Sequence, residues 1–152
     1  MAKPPPPSSS RWWKVFGVFT RVNTFVYRLS GGRLGNKLPG SRAPVILVHH
    51  VGRRSGTARV SPLIGLPEGD RWLIVALKGG TDKHPAWFHN LRANSETEIE
   101  IGRERIPVTA RVLDEEERSR VWPRLVEVYP PYADYEGFAG ERRIPVLSLD
   151  RR

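Results

Sequence analysis

Residues 52–59, Gly-Arg-Arg-Ser-Gly-Thr-Ala-Arg, place three guanidinium groups and two hydroxyls on one tight turn between apolar stretches. Arginine is a planar fork of donors suited to phosphate or carboxylate, and its contacts with them are charge-assisted. Gly52 and Gly56 permit positive φ and close approach of a ligand to the backbone. Arg53, Arg54, Ser55 and Arg59 are therefore candidates for an anion site on a hairpin. A solvated turn is the alternative that this segment alone leaves open. No Gly-Lys-Ser/Thr ending leads into a helix, and Gly-x-Gly-x-x-Gly is absent, so neither a P-loop nor a dinucleotide fingerprint applies. An anionic arm held here would lie across a β-sheet, not at a helix N-terminus.

A second concentration of unusual residues runs from Lys78, Gly79 and Gly80 through Lys83 to Trp87 and Asn90. Its glycines expose backbone amides beside two lysines and a helix start, a combination that favours negative charge. The alternative is a loop plus a short helix whose Trp87 is buried core. The third concentration is Tyr129, Tyr132 and Tyr135, whose spacing of three brings their side chains together on a helical or turn-like segment. Clustered phenols offer flat apolar surface to an aromatic ligand and a proton to a developing oxyanion. Packing is the competing reading. His84 and His89 are five apart, and His49 and His50 point to opposite faces of a strand, so a metal centre is not expected. There is no cysteine for thiol chemistry. Neither a Gly-x-Ser-x-Gly elbow nor a Ser-x-x-Lys motif is present. The hard chemistry then falls to an organic cofactor.

These residues need a scaffold. The chain of 152 residues suits one domain, and its 14 Gly and 14 Pro suggest many turns and a β-rich fold. Strands are predicted at 44–51, 57–66, 71–77, 97–102, 105–113 and 144–149. Six mainly antiparallel strands with peripheral helices imply a β-rich α+β fold, a small barrel. A short helix is predicted around 84–91, with Pro85 at its first position. Another runs from Asp114 to about Val128, opened by an Asp114/Glu117 capping box, with Pro123 implying a kink or late restart. Residues 11–29 show helical periodicity. Trp12, Val15, Phe16, Phe19, Val22 and Val26 share one face, with Lys14, Arg21 and Arg28 opposite. Such a face either packs on the domain or meets an anionic membrane. The resulting division is a disordered tail over 1–10, an amphipathic helix over 11–30 and the barrel domain over 31–152.

The net charge of +9 is uneven, because no acid precedes Glu68 while eleven bases do. A basic half points to an anionic ligand, membrane or nucleic acid, and charge alone does not choose. No apolar run approaches the ~20 residues of a membrane span. The tail of four prolines and three serines is no signal peptide. The expectation is a cytoplasmic protein, peripheral at the inner face of the cell membrane if the first helix meets lipid.

Four motifs in order carry a resemblance. They are Gly52-Arg53-x-Ser55-Gly56-x-x-Arg59-x-x-Pro62-Leu63, Lys78-Gly79-Gly80-x-x-Lys83-x-Pro85-x-Trp87-x-x-Asn90-Leu91, Tyr129-Pro130-x-Tyr132-x-x-Tyr135 and Ile144-Pro145-Val146. Over residues 20 to 149 the chain resembles the deazaflavin-dependent nitroreductases of actinobacteria and relatives. The resemblance implies an FMN-binding-like split β-barrel that binds reduced coenzyme F420, an 8-hydroxy-5-deazaflavin with a phosphodiester and oligoglutamate tail. It implies hydride transfer to a quinone, a nitro compound or an activated alkene. It also implies that Arg53, Arg54, Ser55, Arg59 and Lys78 meet the tail, while Pro62, Leu63 and Ala76 seat the ring. Gly79 and Gly80 would belong to the cofactor-binding residues, with Lys83, Trp87 and Asn90 bordering the tail or bracing the loop. The three tyrosines would form the acceptor pocket. Leu77 stands where many relatives have serine, which favours an apolar, quinone-like acceptor. An FMN-binding split barrel is the nearer alternative. A nucleic-acid binder leaves the Gly-Lys-Trp motif unexplained, and no nucleic-acid partner is expected.

Overall fold

Two strands of strongly β-forming residues, Val45–Val51 (β1) and Ala58–Ile64 (β2), pair as a hairpin around the arginine-rich turn. The computed structural model describes residues 3–7, 9–78, 83–140 and 142–152. Further strands are Leu66–Glu68 (β3), Arg71–Val75 (β4), Glu96–Ile101 (β5), Glu104–Val112 (β6) and Val146–Arg151 (β7). All pairs are antiparallel, in the order β2-β1-β5-β6-β7-β4-β3. The helices are Trp12–Leu29 (α1), Ala86–Ala93 (α2), Glu115–Val128 (α3) and Pro131–Phe138 (α4). This is the expected β-rich split barrel.

The described residues form seven strands where six were predicted, because the run over 57–66 divides at Gly65. On one side β2 pairs with β1; on the other β3 pairs with β4. Gly65 donates its N–H to the Pro44 carbonyl at 3.0 Å. A Cβ at this position would lie 2.6 Å from Ile46 Cδ1 and 2.9 Å from Cγ1. Only a residue without a side chain passes there. The two edges of the sheet are thus joined by one residue, so the sheet curls until it nearly closes.

Strand alternation builds two cores. Ile46, Val48, Trp72, Ile74, Ile99, Ile106, Val108, Leu147 and Leu149 point into the barrel, sealed by Trp87, Phe88 and Leu91 of α2. Leu66, Leu73, Val75 and Val146 point outward against Val121 and Leu125 of α3 and Tyr132 of α4. The antiparallel order makes β1 and β4 run the same way. Hence the turn after β1, the exit of β4 and the return into β7 all meet at one end of the barrel.

The smaller elements follow local chemistry. Asp114 caps α3 by accepting the Glu117 N–H at 2.8 Å. Helix α3 continues through Pro123 as one element, with no late restart. Pro85 is the extended N-cap of α2, one position earlier than predicted, because the helix begins at Ala86.

Helix α1 corrects the sequence reading. Trp12, Val15, Phe16, Phe19 and Val22 are exposed, Val15 and Phe19 at 67% each. Their neighbours Val18, Phe25 and Leu29 are exposed as well. The side turned to the barrel carries half-buried Trp13, Gly17, Thr20 and Thr24, and buried Tyr27. Docking depends on polar anchors instead of apolar bulk. Tyr27 Oη accepts the Gly102 N–H at 2.8 Å, and Gly32 lies against the Gly102 backbone. Arg28, expected to face water, donates to buried Glu100 at 2.6 Å, and His49 Nε2 lies 2.7 Å from the same oxygen. Burial pushes the Glu100 carboxyl up, yet these two partners overcome it and hold the group below its usual range.

Gly65→Ala should lower unfolding free energy by roughly 1–3 kcal/mol, since the interior has no room for a methyl beside Ile46. Urea denaturation monitored by tryptophan fluorescence measures it.

Candidate active site

The turn at 52–57 is closed by its own backbone. Gly52 N–H donates to Thr57 O at 2.9 Å, Gly56 N–H to Gly52 O at 2.8 Å, and Thr57 N–H to Ser55 Oγ at 3.2 Å. Gly56 has φ +69°, the conformation that the sequence reading allowed at both glycines and that Gly52 does not adopt. Gly52 serves differently. A Cβ there would collide with Ser55 Oγ and come within 3.7 Å of Arg59 Nε. These two side chains crowd over bare backbone, leaving open space only for a residue of this kind. Arg53, Arg54 and Arg59 are exposed, and none of them pairs with a carboxylate among the described residues. Arg28, Arg71, Arg111, Arg124 and Arg143, by contrast, are all neutralised.

The turn is held from inside the barrel. Arg53 donates its N–H to Asn90 Oδ1 at 3.0 Å, Asn90 Nδ2 contacts His50 Nδ1 at 3.0 Å, and His50 Nε2 contacts Ser61 Oγ at 2.9 Å. Asn90 and His50 are 5% and 6% exposed. Burial, then the charges of Arg59 and His49, lower the His50 pKa to about 4, so its ring is neutral at physiological pH. Asn90 therefore braces the turn. Trp87, three residues earlier, is barrel core.

The exit of β4 forms the neighbouring wall. Ala76 is fully buried, and Lys78 adopts φ +44°, a left-handed conformation uncommon outside glycine. Arg142 holds this segment. Its Nη1 donates to Ala76 O at 3.0 Å and its Nη2 to Leu77 O at 2.7 Å, with His84 Nδ1 2.9 Å from Nη1. Burial, followed by Arg142 and other nearby cations, lowers the His84 pKa. Sequence reasoning missed Arg142, because it lies 65 residues from its partners and belongs to no motif of recognisable spacing. Lys78 Nζ sits 5.7 Å from the Trp13 ring centroid, joining α1 to this wall. Like the three turn arginines, Lys78 has no carboxylate partner among the described residues. Pro62 and Leu63 are half-buried on β2, opposite Leu47 and Ile46. Gly79 and Gly80 lie outside the described residues, and Lys83 opens the next described segment.

The tyrosines come together as their spacing predicts, Tyr129 capping α3 and the other two on α4. Tyr129 and Tyr132 meet edge to face at 4.9 Å between centroids. Tyr132 is buried in the outer core, while Tyr129 and Tyr135 are half-buried at its margin, where Leu77 also packs. Burial first, then a hydrogen bond with Tyr135, pushes the Tyr129 phenol up to about 12. Burial raises Tyr132 as well. Among the described residues no group of three or more histidines and acids is placed to hold a metal ion.

Arg142→Gln removes two charge-assisted bonds to the β4 exit. The change should cost roughly 1.5–3 kcal/mol of stability. Hydrogen exchange resolved by peptide is the check, with faster exchange expected over 76–78.

Comparison with known proteins agrees with this geometry. The F420H(2)-dependent quinone reductase family profile matches residues 19–150. The chain is 36% identical over 148 residues to an F420H(2)-dependent quinone reductase of Mycobacterium tuberculosis H37Rv, covering 94% of this chain and 98% of the relative. A solved F420-H2 dependent reductase (FDR-A) is 39% identical with a TM-score of 0.64, covering 70% of this chain and 93% of that one. Another solved structure, described as a domain-swapped dimer, is 32% identical with a TM-score of 0.67, covering 90% and 99% respectively. The chain belongs to the F420H(2)-dependent quinone reductase family, oxidoreductase enzymes whose cofactor is coenzyme F420.

Proposed function

We propose that this protein passes a hydride from reduced F420 to a quinone, with the cofactor's polyanionic arm on the turn at 52–59. The observation that carries the reading is the set Arg53, Arg54, Arg59 and Lys78, cations without carboxylate partners among the described residues. Uncompensated like charges repel one another, and a phosphodiester with glutamates is their complement. Ser55 Oγ lies over the backbone of Gly52 with Arg59 Nε nearby, so a hydroxyl and a guanidinium stand together on the turn. In this reading Arg53, Arg54, Ser55, Arg59 and Lys78 hold the arm, and Pro62, Leu63 and Ala76 seat the ring. Gly79, Gly80 and Lys83 are assigned to the cofactor site with them, Asn90 braces the turn, and Trp87 packs in the barrel core.

Bound in its reduced form, F420 supplies the hydride. A hydride and one proton convert a quinone to its quinol, so one proton must also reach an acceptor oxygen. Tyr129 retains its phenolic proton at neutral pH, because burial and Tyr135 raise its pKa to about 12. The Tyr129–Tyr135 pair can therefore donate through Oη, with Tyr132 packing behind it. Leu77 lies in the same cluster and adds apolar surface where a hydroxyl would favour a nitro group. Nitro compounds and activated alkenes are thus the poorer acceptors.

Fluorescence titration with F420 tests the arm assignment. Arg54→Ala and Lys78→Ala should each raise Kd roughly ten- to hundred-fold at low ionic strength, the loss of one charge-assisted contact. Added salt should narrow the difference. Unchanged affinity in both variants removes the arm from this turn.

We infer further that α1 beds on an anionic lipid surface, where quinones dissolve. Support comes from its exposed Val15, Val18, Phe19, Val22, Phe25 and Leu29, flanked by exposed Lys14 and Arg21. No described helix is long and apolar enough to cross a membrane, so contact would be interfacial. Phe19→Asp should weaken sedimentation with phosphatidylserine vesicles by roughly 2–3 kcal/mol while F420 affinity holds. A wild-type protein that ignores such vesicles at low salt, and dimerises through this face, would assign it to a second copy.

A further inference from the structure

The buried relay behind the arginine turn has only one consistent arrangement of protons. Arg53 N–H can only donate, so the Asn90 atom 3.0 Å away is the acceptor oxygen Oδ1. Asn90 Nδ2 is then a donor, and His50 Nδ1, 3.0 Å from it, must be unprotonated. A neutral imidazole with bare Nδ1 carries its proton on Nε2, from which it donates to Ser61 Oγ at 2.9 Å. The Ser61 oxygen is engaged as an acceptor, so its single proton is aimed elsewhere. Among the described residues the Ser61 hydroxyl makes no second hydrogen bond.

The register shows what that proton can reach. Val48 pairs with Ser61 and His50 with Arg59, so Ser61 and Arg59 stand on the same strand face two residues apart. Arg59 in turn leans over the bare backbone at Gly52. Burial and the Arg59 charge keep His50 neutral, consistent with the tautomer that the hydrogen bonds demand.

We infer that His50 is a positioning residue whose Nε2–H tautomer commits the Ser61 hydroxyl to donating a hydrogen bond to an anionic oxygen of the cofactor arm beside Arg59. The inference rests on the arm lying along the turn. It adds Ser61 to the binding residues and gives His50 a role through Ser61, without contact to the cofactor.

Two measurements on the full-length protein test it. Long-range nitrogen–proton NMR of labelled histidine should find His50 protonated at Nε2 and bare at Nδ1 at pH 7. Protonation at Nδ1, alone or with Nε2, overturns the inference. In F420 titrations Ser61→Ala should raise Kd roughly ten-fold, the order expected for one charge-assisted bond, and Ser61→Thr should restore most of the affinity. Unchanged affinity in Ser61→Ala overturns the role of Ser61. Arg54→Ala is the control that separates the two readings. If it weakens binding and Ser61→Ala does not, only this inference fails. If neither weakens binding, the arm assignment falls and takes the inference with it.

Discussion

Gly65 is where one continuous stretch of chain leaves β1 as its partner and takes up β4, and the packing of Ile46 against it admits no side chain. That change of partner joins the two edges of the sheet and curls it into a barrel. Strand direction puts the β1–β2 turn at the same end as the exit of β4 and the return into β7, and curling draws them near one another. A flat sheet in the same strand order would hold those segments at opposite margins. The arginine turn, the Arg142 clasp and the tyrosines share a neighbourhood because of it.

At that end the protein separates two electrostatic tasks. Arg28, Arg71, Arg111, Arg118, Arg124 and Arg143 are spent on structure, paired with Glu68, Glu100, Glu115, Glu117 or Glu136. Arg53, Arg54, Arg59 and Lys78 are left without such partners among the described residues, and the turn that carries the three arginines is braced by neutral groups. Asn90, His50 and Ser61 fix the turn through buried hydrogen bonds that carry no charge. A carboxylate in that role would have neutralised the site it supports. Arg142 does the equivalent for the opposite wall by binding main-chain carbonyls.

Helix α1 illustrates a different economy of contacts. Its stripe of Trp13, Gly17, Thr20, Thr24 and Tyr27 repeats at alternating intervals of four and three, which keeps one side against the barrel. Small residues let that side approach closely, and Tyr27 and Arg28 secure its C-terminal end. The largest apolar residues remain outside. Amphipathicity in the sequence was real, but it described the outer surface of the helix and said nothing of how the helix docks.

What the sequence determined by itself is local. Residue types with known conformational demands marked the arginine turn, the Asp114 cap, the end of α3 at Val128 and most strand cores. Ordered motifs carried the family resemblance, and with it the cofactor and the split barrel. Tyrosine spacing brought three rings together, since a helix places residues three apart on one side. Only the tertiary structure decided which of these features face one another. The strand break at Gly65 depends on Ile46, nineteen residues away, and no local propensity records that contact. Arg142 reaches its carbonyls and Asn90 its histidine across 65 and 40 residues. The docking side of α1 is set by Glu100 and Gly102, hydrogen-bond partners that hydrophobic periodicity does not weigh. Pairings between distant residues arise from the curl of the sheet, and that curl becomes visible only once every strand has found its neighbour.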